Sequence, residues 1–162
     1  MLLPLLLMAA PVLAEPVTVI RLDVTQLRQE IDGFGASDAW SIDPAMRRWQ
    51  EEDSVAAGER LAQMLFSTES GIGLSLCRFN IGAGSAGQGE ASQIPDPFRR
   101  AGLLIGAPGG DIDPGQQAGQ LAFLDLASRQ GVSSIVAFAN SPPVWATVNG
   151  IAHPGRHEDL DE

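Results

Sequence analysis

The chain has 162 residues, of which 44% are hydrophobic and 19% are charged, a composition typical of a globular domain rather than of a disordered chain. The 10 basic residues are all arginines and stand against 20 acidic residues, which leaves a formal net charge of −10. The arginines occur singly or in pairs and form no basic cluster that could neutralise phosphates. We therefore expect neither nucleic acid nor an anionic membrane surface as a partner.

The chain begins with an apolar run from Met1 to Ala14, MLLPLLLMAAPVLA. The run is shorter than the roughly 20 residues that a membrane span needs, and it ends in a Val-Leu-Ala triplet of the kind that signal peptidase reads. The sequence predicts a secretory signal peptide cleaved after Ala14, and hence an extracellular or periplasmic protein. The alternative is a buried N-terminal helix, which Pro4 and Pro11 would interrupt.

Alternating strand and helix patterns follow along the chain. The predicted strands are residues 17–24, 30–36, 73–81 and 133–139, and the predicted helices are residues 55–66 and 116–129. A glycine- and proline-rich loop over residues 82–115 is too long to serve only as a connector, and such loops commonly shape sites. The alternation over residues 30–139 predicts parallel strands joined by helical crossovers.

Cysteine and histidine offer little metal or nucleophile chemistry. Cys77 is the single cysteine, and its apolar surroundings in the sequence favour a small buried side chain over a nucleophile. His153 and His157 have the i, i+4 spacing of helical metal ligands, but Pro154 and Gly155 between them break such a helix. We expect two solvated loop histidines and no metal site.

Polar residues gather near the ends of the predicted strands. The period of two places Arg78 and Asn80 on one face of their strand, opposite Cys77. A guanidinium and an amide on an inward face need hydrogen-bond partners, since an unpaired buried charge is very costly. Two arrangements would satisfy this need. The residues could bind a substrate or a carboxylate, or they could form a salt bridge that closes a barrel interior.

The last predicted strand runs into Asn140 and then through two prolines to Trp145. The prolines fix a rigid turn that presents both residues at the carboxyl end of the strand, where ligands bind in parallel α/β folds. The indole of Trp145 could stack on a sugar ring, or it could cover the top of the core.

Gly82, Gly84 and Gly87 match the GxGxxG pattern directly after a predicted strand. In a dinucleotide-binding fold this pattern opens a helix at the pyrophosphate. The following residues, 88–97, contain two prolines and a further glycine without an apolar period, so we expect no helix to open here. A dinucleotide-dependent oxidoreductase stays an alternative.

Three sequence blocks carry a more specific signal. They are residues 29–37 (QEIDGFGAS), residues 71–84 (GIGLSLCRFNIGAG) and residues 137–145 (AFANSPPVW) followed by Asn149 and Gly150. In this order the blocks resemble glycoside hydrolase family 30, which contains glucosylceramidases, xylanases and endo-β-1,6-galactanases. The amino-acid sequence of these blocks is most similar to the galactanase-type branch of the family. Residues 94–113 carry little of the resemblance.

The resemblance implies an α/β fold, namely the N-terminal part (about three β/α units) of a (β/α)8 TIM barrel with one strand of a flanking β-sandwich. Residues 1–14 would be the signal peptide, residues 15–28 the sandwich strand, and residues 29–162 an incomplete N-terminal portion of the barrel. A complete barrel needs about 250 residues. The missing C-terminal part of the same barrel is therefore an expected partner.

Six residues form the predicted substrate-binding set. They are Asp38, Trp40, Arg78, Asn80, Asn140 and Trp145. By resemblance, Arg78 corresponds to the family's second-strand arginine beside the nucleophilic carboxylate, and Asn140 corresponds to a substrate-contacting side chain after strand three. Asp38 and Trp40, after strand one, would line the same rim.

The resemblance also implies a retaining mechanism, in which a nucleophile and an acid/base about 5 to 5.5 Å apart come from strands four and seven. Neither strand is among those predicted here, so the catalytic residues are expected beyond Glu162 and the chain alone is expected to be inactive. Asp32 and Asp38 could be proposed in place of the missing catalytic carboxylates. Asp32, however, precedes a Gly-Phe-Gly segment and is expected to fix the backbone of that segment.

The sequence thus predicts the N-terminal segment of a secreted retaining β-glycosidase that hydrolyses a β-linked oligo- or polysaccharide, with β-1,6-galactan as the first candidate, without a metal or organic cofactor. A noncatalytic carbohydrate-binding fragment is an alternative from another class. Such a fragment would keep Trp40 and Trp145 exposed and would not need Arg78 on an inward strand face.

Overall fold

The computed structural model describes residues 18–21 and 23–152, and the chain divides into two units between Glu30 and Ile31. The predicted signal peptide and both histidines lie outside the described residues. In the first unit, the Asp23 carboxylate accepts hydrogen bonds from the backbone N–H of Thr25 at 3.0 Å and from its hydroxyl at 2.6 Å, which closes a turn.

The strand predicted over residues 17–24 is not formed by its described residues. Val19, Ile20 and Val24 are 80–85% exposed there. The physical reason is that a strand needs a paired neighbour, and no described segment of this unit pairs with it. Membership of a β-sandwich stays a prediction.

The second unit is built on three parallel strands in the order β1 (Gly35–Ser37), β2 (Leu76–Ile81) and β3 (Ser134–Ala139). In the register, Gly35 lies opposite Leu76, and Leu76 lies opposite Ser134. Sequential order with parallel pairing is the pattern of successive β/α units, so the predicted crossovers are confirmed in this unit. β1 is shorter than predicted and begins later, because its pairing with β2 covers only residues 35–37.

Helices connect the strands. Between β1 and β2 lie α1 (Ile42–Glu51) and α2 (Val55–Phe66), and between β2 and β3 lie the single-turn α3 (Ser85–Gln88) and α4 (Ala118–Arg129). Residues 82–115, predicted as one loop, also contain 3₁₀ turns at Gly89–Ser92 and Pro97–Arg99, and a third, Pro114–Gln117, leads into α4.

The periodicity of α2 explains its packing. Gly58, Ala62 and Phe66 recur at i, i+4 and i+8 and are all buried, so one face of the helix enters the core. The Phe66 ring lies 6.1 Å from the Phe123 ring of α4 in a tilted arrangement. Burial of each ring contributes about 1.5 to 3 kcal/mol.

The helix core covers one face of the sheet. Cys77 of β2 is fully buried in it beside Phe66 and Phe123, whereas its neighbour Arg78 points to the other face and is exposed. The predicted two-face pattern of β2 is therefore confirmed for these two residues. α1 joins α4 through a close contact, because a Cβ added to Gly119 would lie 2.3 Å from the backbone oxygen of Asp43.

Candidate functional site

A cavity of about 220 Å³ lies at the carboxyl ends of β2 and β3. Its walls come from all three strand ends and from the loop after β2, with Trp40 after β1, Asn80 in β2 and Asn140 directly after β3. Three of the six predicted substrate-binding residues therefore come together here. This is the edge of a parallel sheet at which ligands bind.

Two buried glutamines fix the end of β2. The side-chain amides of Gln117 and Gln120 both donate to the backbone carbonyl of Asn80, at 3.0 and 2.7 Å. The Gln117 side-chain oxygen also accepts the N–H of Gly82 at 3.4 Å. Because these side chains are 0% and 2% exposed, they replace water at the point where β2 leaves the sheet.

Gln117 and Gln120 were not among the residues predicted for the site. The sequence feature that could have identified them is a pair of glutamines near the start of a predicted helix that packs on the sheet. Gln120 is further tied to α1, since its backbone N–H donates to the Asp43 carboxylate at 3.0 Å. Asp43 in turn accepts from Arg47 at 2.9 Å, so a polar chain runs from α1 to the end of β2.

Asp38 lies beneath the rim rather than on it. It is 6% exposed and lines a neighbouring 300 Å³ cavity with Cys77 and Phe66, not the cavity that Trp40 lines. Its Oδ1 accepts the backbone N–H of Asn80 at 3.2 Å, and its own N–H donates to the carbonyl of Arg78 at 3.1 Å. These two backbone bonds hold Asp38 against β2, below the cavity that Trp40 lines, and its role in substrate binding stays a prediction.

Burial dominates the electrostatics of this carboxyl group. It raises the pKa of Asp38 from 3.8 to about 7, although the Asn80 N–H and the nearby Arg78 guanidinium lower it. Within the described residues, Asp38 Oδ2 and Asn80 Oδ1 are buried without a hydrogen-bond partner. Two side chains that can bind hydroxyl groups thus lie together at the end of β2.

Within the residues that the structure describes, the Arg78 side chain makes none of the hydrogen bonds that the sequence predicted. Its guanidinium carbon lies 3.4 Å from the centroid of the Phe138 ring on β3, and none of the three ion pairs in the described part of the chain includes it. The prediction assumed a buried charge, whereas Arg78 is exposed here, although Asn80 on the same face of β2 is buried. A solvated guanidinium can stack on an aromatic ring and keep its donors in water.

Trp145 lies outside the cavity. Its indole N–H donates to the carbonyl of Ile105 at 2.9 Å, and 40% of the residue is exposed. The two prolines before it do form a rigid exit from β3, but the turn at Val144–Ala146 directs the indole toward the loop after β2. A sugar-stacking role for Trp145 stays a prediction, whereas Trp40 lines the cavity directly.

The glycine pattern after β2 differs from a phosphate-binding loop. A helix does open at Ser85, contrary to expectation, because Gly84 adopts a φ of +103° that permits the sharp turn, but it ends after four residues. A Cβ at Gly82 would lie 2.0 Å from the backbone oxygen of Gly102, and one at Gly84 would lie 3.0 Å from Val144. Gly82 and Gly84 thus pack against neighbouring chain segments, and of the three glycines Gly87 alone has open space at its Cβ position. Because the helix ends after one turn and the first two glycines are in contact with other segments, the geometry gives the dinucleotide alternative no support.

Two further observations concern the residues that the structure describes. No group of three or more side chains from His, Cys, Asp and Glu comes together there as a metal site. In that same part of the chain, no helix combines the length and apolar character of a membrane span.

Parallel β/α units with a polar and aromatic cavity at the strand ends define the class as an α/β protein of the kind that binds ligands at the carboxyl edge of its sheet. The family model of O-glycosyl hydrolase family 30 matches residues 17–161, and the chain belongs to this family. The resemblance in the three sequence blocks is thereby confirmed.

Solved structures similar to the chain agree with this assignment. A conserved exported protein from Bacteroides fragilis is 32% identical, with a TM-score of 0.65 over 79% of this chain and 26% of that one. The catalytic domain of GH30 xylanase C from Talaromyces cellulolyticus is 26% identical, with a TM-score of 0.54 over 83% and 29%. The endo-beta1,6-glucanase BT3312, 18% identical with a TM-score of 0.54 over 78% and 26%, shares the fold. The chain spans between a quarter and a third of the length of these structures.

Proposed function

We propose that this chain is the N-terminal segment of a secreted retaining β-glycosidase that hydrolyses a β-linked polysaccharide. The single observation that carries the proposal is the cavity at the carboxyl ends of β2 and β3, in a chain that belongs to glycosyl hydrolase family 30. Trp40 offers a flat apolar wall, and Asn80 and Asn140 offer amide groups that can meet sugar hydroxyls.

In this proposal the described residues bind and orient the sugar. Asn80 is held by the two glutamines at its carbonyl and by Asp38 at its N–H, so its side chain meets the substrate without further ordering. The unpartnered Oδ1 of Asn80, which lines the cavity, becomes an acceptor for a sugar hydroxyl once the site is complete. Asp38, Trp40, Arg78, Asn80, Asn140 and Trp145 remain the proposed substrate-binding residues.

The chemistry itself is double displacement by two carboxyl groups. One attacks the anomeric carbon to form a glycosyl-enzyme intermediate, and the other first protonates the leaving oxygen and then activates water. By resemblance these groups belong to strands four and seven, and the described sheet has three strands. The chain alone is therefore proposed to be inactive, and the remaining strands of the (β/α)8 barrel are its proposed structural partner.

Two features support a secreted protein that acts on polysaccharide. The segment from Met1 to Ala14 has the pattern of a signal peptide with cleavage after Ala14. One similar structure is described as an exported protein, and two others act on polymers, a xylanase and an endo-β-1,6-glucanase. β-1,6-Galactan is the first substrate to test, with xylan and β-1,6-glucan beside it.

The test compares the complete gene product with the 162-residue chain. Each is incubated with the three polysaccharides, and NMR follows the anomer that appears first. The complete protein is expected to release the β-anomer and to be labelled covalently by a 2-deoxy-2-fluoro glycoside, whereas the chain alone is expected to show no turnover.

Several outcomes separate the alternatives. Release of the α-anomer contradicts the retaining mechanism. Turnover by the chain alone contradicts the proposal that the catalytic groups lie on strands four and seven. Sugar binding by a complete protein that hydrolyses none of the three polysaccharides and is not labelled favours the noncatalytic carbohydrate-binding alternative.

A further inference from the structure

We infer that Gln93 is a further substrate-binding residue, whose side-chain carboxamide binds two neighbouring hydroxyl groups of the sugar ring in the cavity. This role rests on the proposed function and adds a specificity-determining residue to it. Three observations support it. Gln93 lines the cavity, its backbone has a conformation that favours glycine, and its side-chain amide has no hydrogen-bond partner within the described residues.

The backbone of Gln93 is left-handed, with φ at 59° and ψ at 15°. In this conformation the Cβ crowds the following carbonyl oxygen, and only short polar side chains such as Asp and Asn offset the cost with a local hydrogen bond. Among the non-glycine residues that the structure describes, Asp53 alone shares a positive φ, at 51°. Glycine would form the turn at position 93 at lower cost, so the turn itself gives no reason for a glutamine.

Hydrogen bonds on both sides hold Gln93 in this conformation. The hydroxyl of Ser92, which is fully buried, donates to the carbonyl of Gly89 at 2.6 Å and accepts the N–H of Ile94 at 3.3 Å. The guanidinium of Arg100 then donates twice to the carbonyl of Ile94, at 2.9 and 2.8 Å. Strained residues persist only where their surroundings fix them, and they concentrate at ligand sites. Little ordering of this turn is therefore needed when a ligand binds.

The side-chain amide of Gln93 is available to a ligand. The residue is exposed, and within the described part of the chain no hydrogen bond involves its side chain. The buried amides of Gln117 and Gln120, in contrast, are engaged by the carbonyl of Asn80. Gln93 therefore keeps both its donor and its acceptor free at the cavity.

The cavity carries three side-chain carboxamides, from Asn80, Gln93 and Asn140. Each joins an acceptor oxygen and a donor nitrogen on one planar edge, so one sugar hydroxyl can donate to the oxygen while its neighbour accepts from the nitrogen. The volume of about 220 Å³ is below the roughly 300 Å³ at which drug-sized sites begin, and it suits one sugar ring. The lining thus fits a ring with two adjacent free hydroxyls, which all three test polysaccharides contain.

The experiment measures kcat/KM of the complete gene product on β-1,6-galactan, xylan and β-1,6-glucan, from initial rates of reducing-end release. Gln93→Gly removes the amide and relieves the backbone. We expect it to lower kcat/KM about tenfold, the effect of two lost hydrogen bonds, while its melting temperature stays equal or rises. Gln93→Glu keeps the length and the acceptor oxygens but loses the donor, and we expect a smaller fall.

Asp53→Gly is the matched control, because it relieves the same backbone conformation between α1 and α2, away from the cavity. We expect it to leave kcat/KM unchanged. If the unaltered protein hydrolyses one of the polysaccharides and Gln93→Gly keeps the full kcat/KM, the role of Gln93 is overturned and the proposed function stands. A fall in kcat/KM that Asp53→Gly shares, or that comes with a lower melting temperature of Gln93→Gly, also overturns this role. A complete protein that hydrolyses none of the three overturns the proposed function and this role with it.

Discussion

Replacement of Asp38 tests the electrostatics of the site most directly. Burial raises the pKa of this carboxyl group from 3.8 to about 7. A carboxyl group with a raised pKa binds its proton more tightly in the folded state than in the unfolded state. Its contribution to stability is therefore fully present below about pH 4 and is lost as the pH rises through about 7.

The size of this effect follows from the two pKa values. Each unit of pKa difference corresponds to about 1.36 kcal/mol, so the change from 3.8 to about 7 amounts to about 4 kcal/mol. Most of that stability is lost between pH 4 and pH 7. A loss of this size is a large part of the free energy, about 5 to 15 kcal/mol, that stabilises a typical domain.

Asp38→Asn removes the titration and keeps an oxygen that can accept the N–H of Asn80. The free energy of unfolding is measured by urea unfolding from pH 4 to pH 7.5, followed by tryptophan fluorescence. We expect the difference in this free energy between pH 4 and pH 7 to fall by about 3 to 4 kcal/mol in the variant. Asp125→Asn, which removes an exposed carboxylate of α4, is expected to keep the original slope.

A variant at position 38 whose unfolding free energy varies with pH as steeply as that of the unaltered chain would refute the reasoning. It would mean that the buried carboxyl group retains its ordinary pKa. The conclusion that Asp38 is buried against β2 would then be wrong.

Three further outcomes are expected. Gly119→Ala should lower the free energy of unfolding by about 1 to 3 kcal/mol, since the new Cβ would meet a backbone carbonyl of α1. The control is Gly106→Ala, because no atom lies within 4 Å of the Cβ position at Gly106. In the same urea assay this control should change the free energy of unfolding by less than about 0.5 kcal/mol. Gln117→Met and Gln120→Met together should cost at least about 1 kcal/mol more than the sum of the single variants, because only the double variant leaves the Asn80 carbonyl without a donor. Additive costs in a double-mutant cycle would contradict this. Burial raises the pKa of the Cys77 thiol to about 11, so a disulfide reagent at pH 8 should react with it only as the chain unfolds.

Helix α2 and the parallel strands could be predicted because their signal is local. The apolar period of residues 55–66 is complete within the helix, and the structure places α2 at the predicted bounds. α1 was not predicted, and its sequence contains Pro44, a residue that breaks a helix when it lies in the interior. In α1 it occupies the third position, in the first turn, where the backbone N–H has no helical partner to lose.

The site was only partly predictable because its decisive contacts join distant residues. Arg78 of β2 stacks on Phe138 of β3, and α3 and α4 lie between these two residues in the sequence. The contact therefore exists only once β2 and β3 are paired in register. The indole of Trp145 is held by the carbonyl of Ile105, in the loop after β2. Residue type indicated that these side chains were candidates, but their partners depend on tertiary geometry.

The position of β2 in the middle of the sheet has a consequence for amide hydrogen exchange. β2 is paired on both sides, and its residues Cys77, Phe79 and Asn80 are buried, whereas five of the six residues of β3 are exposed. Amide protons of β2 should therefore exchange with deuterium on the timescale of global unfolding, and those of β3 should exchange through much smaller openings. The carboxyl end of β2, which presents Asn80, would then be the most slowly opening part of the site.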